Sequence, residues 1–398
     1  MNNQTTKINP LNLFFNSAYQ KAFFLLFTFY LLLFTPVFAA DNSTSPLPSQ
    51  IGQVLSVENF GNIITPMGEK QSKQSVEIKI LSGSHKGEKI IIDNVLTDNP
   101  AYDINLKNNE KVILHVEQTN GNVSYFVEDK YRAGGLYLLT GLFFLLLLLV
   151  GGKKGFFSLI SILTTLGLIF WMLTPLVLHG INPVLATVLT CLLASVISIY
   201  LVGGINAKSG SAILGTVLSL IFAAILSVLS IKLVNLNGFA SEQYMYLAAA
   251  HANLNLLEVL ASAMILGSLG AVMDIGMSIS STVNELFTSN SDMDVRTLFF
   301  SGMNVGKDII GMMANTLILA YLGGSLALVL LSNSIDFQKF FNLNQVAVEI
   351  SSALIGSIGI VLCVPITAII AAILIKRFTK ATVAENDFND IIGDELRR

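Results

Sequence analysis

Charge is scarce in this chain. Only 12% of its 398 residues are Asp, Glu, Lys or Arg, roughly half the share found in an ordinary soluble domain. That shortage excludes a standard soluble enzyme and an intrinsically disordered chain. A basic excess is missing too. The net charge is -3, which does not suit a nucleic-acid binder that works by neutralising phosphates. Cysteine is nearly absent. Cys191 and Cys363 are too few for a disulfide framework or a cysteine-rich metal site. Both lie in apolar runs, where a free thiol acts as a small hydrophobe.

Catalytic signatures are lacking as well. No Gly-x-Gly-Asp pattern precedes an aspartate, no His-Glu-x-x-His is present, and no P-loop occurs. His251-x-x-x-Asn255 has no Gly-x-Ser-Gly to accompany it. His85 and His115 stand 30 residues apart without a second nearby ligand; they read as a turn and a strand histidine. The expectation is a protein that is not an enzyme and uses no cofactor.

What is abundant is hydrophobic sequence, 53% of the chain, and it is unevenly placed. Residues 41–133 hold 21 charged residues in 93 positions, whereas residues 134–375 hold 16 in 242. The tail, 376–398, holds 10. A polar domain therefore precedes a membrane domain.

Residues 1–40 carry Lys7 and Lys21, an apolar run from Ala22 to Phe34, and Val37-Phe38-Ala39-Ala40. This is the pattern of a signal peptide; an uncleaved anchor helix is the alternative. Either reading places residue 41 outside the cytoplasm. Residues 41–50 form a polar linker with prolines.

From residue 51 to 133 the pattern changes to short strands. Val76-Glu77-Ile78-Lys79-Ile80 alternates with period two, the mark of a half-buried strand. Two further apolar runs flank Thr119-Asn120-Gly121-Asn122, a hairpin signal. Five or six strands in this length predict a small extracytoplasmic barrel or sandwich of OB or SH3 type.

Seven apolar spans are expected in 134–375, at 134–150, 156–178, 183–203, 211–234, 254–275, 309–331 and 351–375. Most are about 20 residues long, as a bilayer core of about 30 Å requires. Lys153, Lys154, Lys208, Arg296, Lys307, Lys376, Arg377 and Lys380 fall in alternate loops, which the positive-inside rule makes cytoplasmic. The tail is then cytoplasmic and the β domain external.

Membrane helices avoid charge, so the polar residues inside spans are informative. Asp274, Ser278, Ser281 and Glu285 are spaced four, three, four, which places them on one helical face. Asn304, Asp308, Gly311 and Asn315 repeat that spacing on the next span, with Lys307 beside them. The expectation is that the two faces meet, with Asp274 paired to Lys307. One reading is an ion, proton or solute site near the cytoplasmic face; the other is an interfacial hairpin. His251 and Glu258 form a second cluster at the opposite end.

At these residues the sequence resembles the YibE/F family of bacterial multipass membrane proteins. The resemblance is carried by GAVMDIGMSISSTVNEL (270–286) and SGMNVGKDIIGMMANTLILAYLGGSL (301–326), with GGKKG (151–155) and SGSHKGEKIIIDN (82–94). It implies a Gram-positive-type membrane protein with an extracytoplasmic domain ahead of its spans. It also marks Asp274, Asn284, Glu285, Asn304, Lys307, Asp308 and Asn315 as motif positions, without assigning them roles. The partners that fit are the lipid bilayer, a small solute, a protein bound through the β domain, or a second copy of the chain. The leading expectation is a permease-like protein; the alternative is a non-enzymatic envelope factor.

Overall fold

The computed structural model describes residues 49–64, 70–97, 99, 103–119 and 122–395. The leader-like segment 1–40, most of the linker and the Asn120-Gly121 pair lie outside the described residues. The described chain divides into two compact units, which part between Val150 and Gly151.

The first unit holds five strands: β1 (Gln50–Ile64), β2 (Lys70–Ile80), β3 (Lys89–Leu96), β4 (Lys111–Thr119) and β5 (Asn122–Lys130). All pairings are antiparallel, in the order β3-β2-β1-β4-β5. The long β1 is the centre. Gly52 pairs with Ile80 on one side and Val112 on the other. A β-carbon there would lie 2.5 Å from Ile78 and 3.0 Å from Leu114, so only glycine lets the flanking strands close over β1. Register shifts at Val54/Ser56 and Ile113/Leu114 bend the sheet, as bulges do. The result is a small barrel-like sheet. Its core is Val54, Val76, Ile78, Ile80, Ile92, Leu106, Val112 and Leu114, the inward half of the alternating pattern.

The helices begin with α1, a continuous apolar stretch over Ala133–Leu178. It is followed by α2 (Pro183–Gly203), α3 (Ala207–Leu233), α4 (Glu242–Ala250), α5 (Leu256–Ser289) and α6 (Val295–Gly324). The last long helix is α7 (Asn344–Glu395). Several starts are fixed by local chemistry. Asn182, Asn206, Asn255 and Asp294 each accept a backbone N–H from the first turn of the helix that follows.

Among the described residues six helices are long and apolar enough to cross a membrane, and the chain is a multipass membrane protein. The count differs from the expected seven because spans 134–150 and 156–178 lie on one stretch of 46 residues. The break expected at Gly-Gly-Lys-Lys-Gly survives as a kink. Gly152 has φ 53 and ψ -130, a backbone that residues with a β-carbon avoid. The expected span 309–331 ends early: α6 stops at Gly324, and a short helix, Leu326–Leu331, follows.

The helical unit is built around α3, α5 and α7, which pack on one another, with α2 against α3 and α5. Small residues make that approach possible. Gly215 of α3 lies under Thr367 of α7, and Gly276 of α5 under Thr216 of α3, with a β-carbon position 2.6 Å from the Thr216 hydroxyl. Buried hydroxyls mostly bond to the preceding turn: Thr190 donates to Ala186 O at 2.8 Å and Ser219 to Gly215 O at 2.7 Å. Ser280 of α5 donates to Lys208 O at the start of α3 at 2.6 Å.

Candidate functional site

The packed faces of α5 and α6 decide where their polar residues go. On α5 the buried residues include Val272, Ile275, Gly276, Ile279, Ser280 and Val283. On α6 they are only Leu298, Gly302 and Gly306. A β-carbon at Gly302 would lie 2.9 Å from Val283, and one at Gly306 would collide with Val364 of α7 and stand 3.1 Å from Ile279. These contacts fix an antiparallel register. It sets Lys307 level with Ser278, and Asp274 level with Gly311, one turn further along.

The polar stripes lie away from that contact. Asp274, Ser278 and Glu285 are exposed on α5, and Asn284 and Ser281 are half-buried. Asn304, Lys307, Asp308, Gly311 and Asn315 are all exposed on α6. The expected meeting of the two polar faces is therefore overturned. The glycine edge of α6 takes the contact with α5 and α7, because it lets the backbones approach. The expected Asp274–Lys307 pair is also absent: the ion pairs seen among the described residues do not include either of them. A turn of helix separates the two residues.

The stripe on α5 is continuous and small in cross-section. Ala263, Gly267, Gly270, Asp274 and Ser278 are all exposed. The Tyr321 hydroxyl of α6 sits over Gly267, whereas nothing lies within 4 Å of the β-carbon positions of Gly270 and Gly311. Beyond the stripe, the α5–α6 turn is anchored. Lys376 of α7 donates to Met293 O at 2.9 Å. Asp294 accepts from Thr297 N at 3.0 Å, and the side chain and backbone of Thr297 hold its carboxyl below the usual carboxylate range.

The second cluster also forms differently. Residues 251–255 make the turn between α4 and α5, so His251 and Glu258 do not share a helical face. Glu258 instead accepts from Asn182 Nδ2 at 2.7 Å and Asn255 Nδ2 at 3.0 Å. Both asparagines cap helices, so Glu258 ties the starts of α2 and α5 together. Along the unbroken α5, Glu258 and Asp274 are about 24 Å apart by helical rise.

Two features were invisible in the sequence. Near Glu258, α1, α2, α4 and α5 line an open, largely apolar groove of about 280 Å³. Thr187 and Ser262 line it, and neither buried hydroxyl has a hydrogen-bond partner. A helical hydroxyl gives no sequence signal of whether it will find a hydrogen-bond partner once buried. In the first unit, a cleft of about 640 Å³ lies between the sheet edges β3 and β5. Ile91 and Phe126 on its walls are 75% and 49% exposed. His85, in the turn before β3, bonds to Glu88 at 3.1 Å, and His115 pairs across from Phe126.

No curated protein matches the chain, and no solved structure does. The family model described as YibE/F family N-terminal domain matches residues 48–130, the strand unit. The model described as YibE/F-like protein matches residues 139–377, which takes in α5, α6 and their polar stripes. With its two domains matched in sequence order, the chain belongs to the YibE/F-like family.

Proposed function

We propose that the protein is a permease-like membrane protein for an ion or small solute, and that its path follows the exposed face of α5 and α6. One observation carries this reading. Asp274, Asn304, Lys307, Asp308 and Asn315 all point away from the protein's own core, on helices with ample apolar surface. Charged and amide groups facing lipid are costly, whereas a water-lined groove accommodates them. A second copy of the chain completes the groove. The acids Asp274 and Asp308 and the base Lys307 occupy neighbouring levels of one face, so a two-fold partner sets Lys307 of each copy near the acids of the other.

In this reading α1 crosses the bilayer twice, with its turn at Gly152, which makes seven crossings. The distribution of lysine and arginine supports an orientation with residues 41–133 outside the cell membrane and the tail in the cytoplasm. The chain acts by positioning a solute, with no chemical step. The test is flux in liposomes holding the purified protein, over a panel of ions and metabolites. Asp274→Ala and Lys307→Ala should each abolish flux of any solute the parent moves, with unchanged insertion. Full flux in both variants sinks the assignment.

A second reading rests on the β3–β5 cleft, whose exposed Ile91 and Phe126 suit a protein partner. The protein is then an envelope factor. A partner that co-purifies with the parent chain and is lost from Ile91→Ser and Phe126→Ser favours this reading; unchanged co-purification removes its basis.

A further inference from the structure

The charge along α5 and α6 is unbalanced. α5 carries Glu258, Asp274 and Glu285 and neither lysine nor arginine. α6 carries Arg296, Lys307 and Asp308. In the register set by Gly302 and Gly306, Arg296 lies one turn from the level of Glu285, so the two offset each other near the α5–α6 turn. Glu258 is held by Asn182 and Asn255 at the opposite end of α5. Along the middle of the face, two acids, Asp274 and Asp308, stand against one base, Lys307. Each copy of the chain therefore has an excess of one negative charge there.

The polar groups of this face are also free. Among the described residues, the side chains of Asp274, Ser278, Asn304, Lys307, Asp308 and Asn315 have no hydrogen-bond or ion-pair partner. All six are exposed. At the level of Asp274, α6 presents Gly311, and nothing lies within 4 Å of the β-carbon positions of Gly311 and Gly270. The Asp274 carboxylate thus borders open space. Between low-dielectric walls, an excess of one sign concentrates ions of the other, and acidic side chains make pores cation-selective in this way. An anion would meet two carboxylates for one ammonium. A neutral solute would leave the excess uncompensated, which is costly in a membrane.

We infer that the solute carried along this face is a monovalent inorganic cation, attracted by Asp274 and Asp308 and passed along the neutral oxygens of Ser278, Asn304 and Asn315. The inference rests on the permease reading and narrows it to one substrate class. One positive charge cancels the excess of one copy, and a divalent ion overshoots it. Lys307 is then a built-in counter-charge, which keeps the ion bound weakly enough to leave.

The test is isotope uptake into liposomes that hold the purified full-length protein. Rubidium and sodium are compared with calcium, chloride and glycine, and a trapped pH dye follows protons. Monovalent cation uptake should exceed that of chloride and glycine at least about tenfold, since one net charge acts with opposite sign on cation and anion. Rubidium or sodium uptake identifies an alkali cation; a dye response alone identifies the proton. Asp308→Asn removes the excess and should cut cation uptake at least about tenfold. Asp308→Lys reverses the sign of the face and should favour chloride. Asp308 is exposed, so both variants should keep the parent's melting midpoint. A parent that moves calcium, chloride or glycine best overturns the inference and leaves the permease reading standing. So does a cation preference unchanged in both variants. A parent that moves no solute removes the permease reading, and the inference falls with it.

Discussion

Gln74 is a polar residue in the middle of the strand unit, only 3% exposed. It is tolerated because every hydrogen-bonding group of its amide has a partner. Nε2 donates to Asn59 Oδ1 at 2.9 Å and Asn105 Oδ1 at 3.1 Å. Oε1 accepts from Asn94 Nδ2 and from the Leu106 backbone, both at 3.1 Å. Gln74→Ala leaves several of these groups without a partner, and should cost about 2 kcal/mol. Amide hydrogen exchange over 70–116 reads that loss. Gly306 is a second case. Gly306→Val drives a side chain into Val364 and Ile279, and should destabilise the helical unit by about 2 kcal/mol. Gly311→Val meets open space and should leave the melting midpoint unchanged. If the face is completed by a second copy, that same variant should weaken self-association, which crosslinking in membranes measures.

At the scale of elements, the end of the strand unit is fastened by charge. Lys130 of β5 reaches Glu110, ahead of β4, at 2.9 Å. Partial burial pushes the Glu110 carboxyl up, but the hydrogen bond and charge of Lys130, with the Lys107 backbone, hold it below its ordinary 4.5. Asp129 is held below its ordinary 3.8, chiefly by its hydrogen bond from Arg132. A carboxyl lowered in the folded state stabilises fully above its unfolded value and less as pH falls through the folded one. The strand unit should therefore keep its stability down to about pH 4.5 and lose some below it. Lys130→Met should flatten that loss; exchange rates of β4 and β5 amides on either side of pH 4.5 provide the measurement. These alternating strands were legible in the sequence because a half-buried sheet writes its burial with period two. The pairing order was not, since β1 pairs not only with β2, which follows it, but with β4 from a distant part of the chain.

At the scale of the whole molecule, α1 raises the sharpest question. The apolar stretch Ala133–Leu178 has 46 residues, about twice the roughly 20 that one crossing of a bilayer core of about 30 Å needs. In the proposed reading this stretch makes two crossings, with its turn at Gly152. In a background of Cys191→Ser and Cys363→Ser, Lys153→Cys should react with an impermeant maleimide only from the cytoplasmic side. Ser124→Cys should react only from outside. Reaction of both from one side would reject the seven-crossing topology.

The sequence by itself determined that the chain crosses a membrane, because apolar runs and charge placement are properties of local composition. It also determined a strand domain ahead of the helices, and it singled out the polar positions of α5 and α6. Spacing put Asp274, Ser278 and Glu285 on one face without saying which way that face turns. Tertiary structure decided the direction. Gly302 and Gly306 let α6 approach Ile279, Val283 and Val364, and close backbone packing took the inner side. The charged stripe was left outward, and Asp274 and Lys307 were set a turn apart. The same folding buried the Thr187 and Ser262 hydroxyls without a hydrogen-bond partner, an outcome that depends on several helices at once and so has no trace in any one of them.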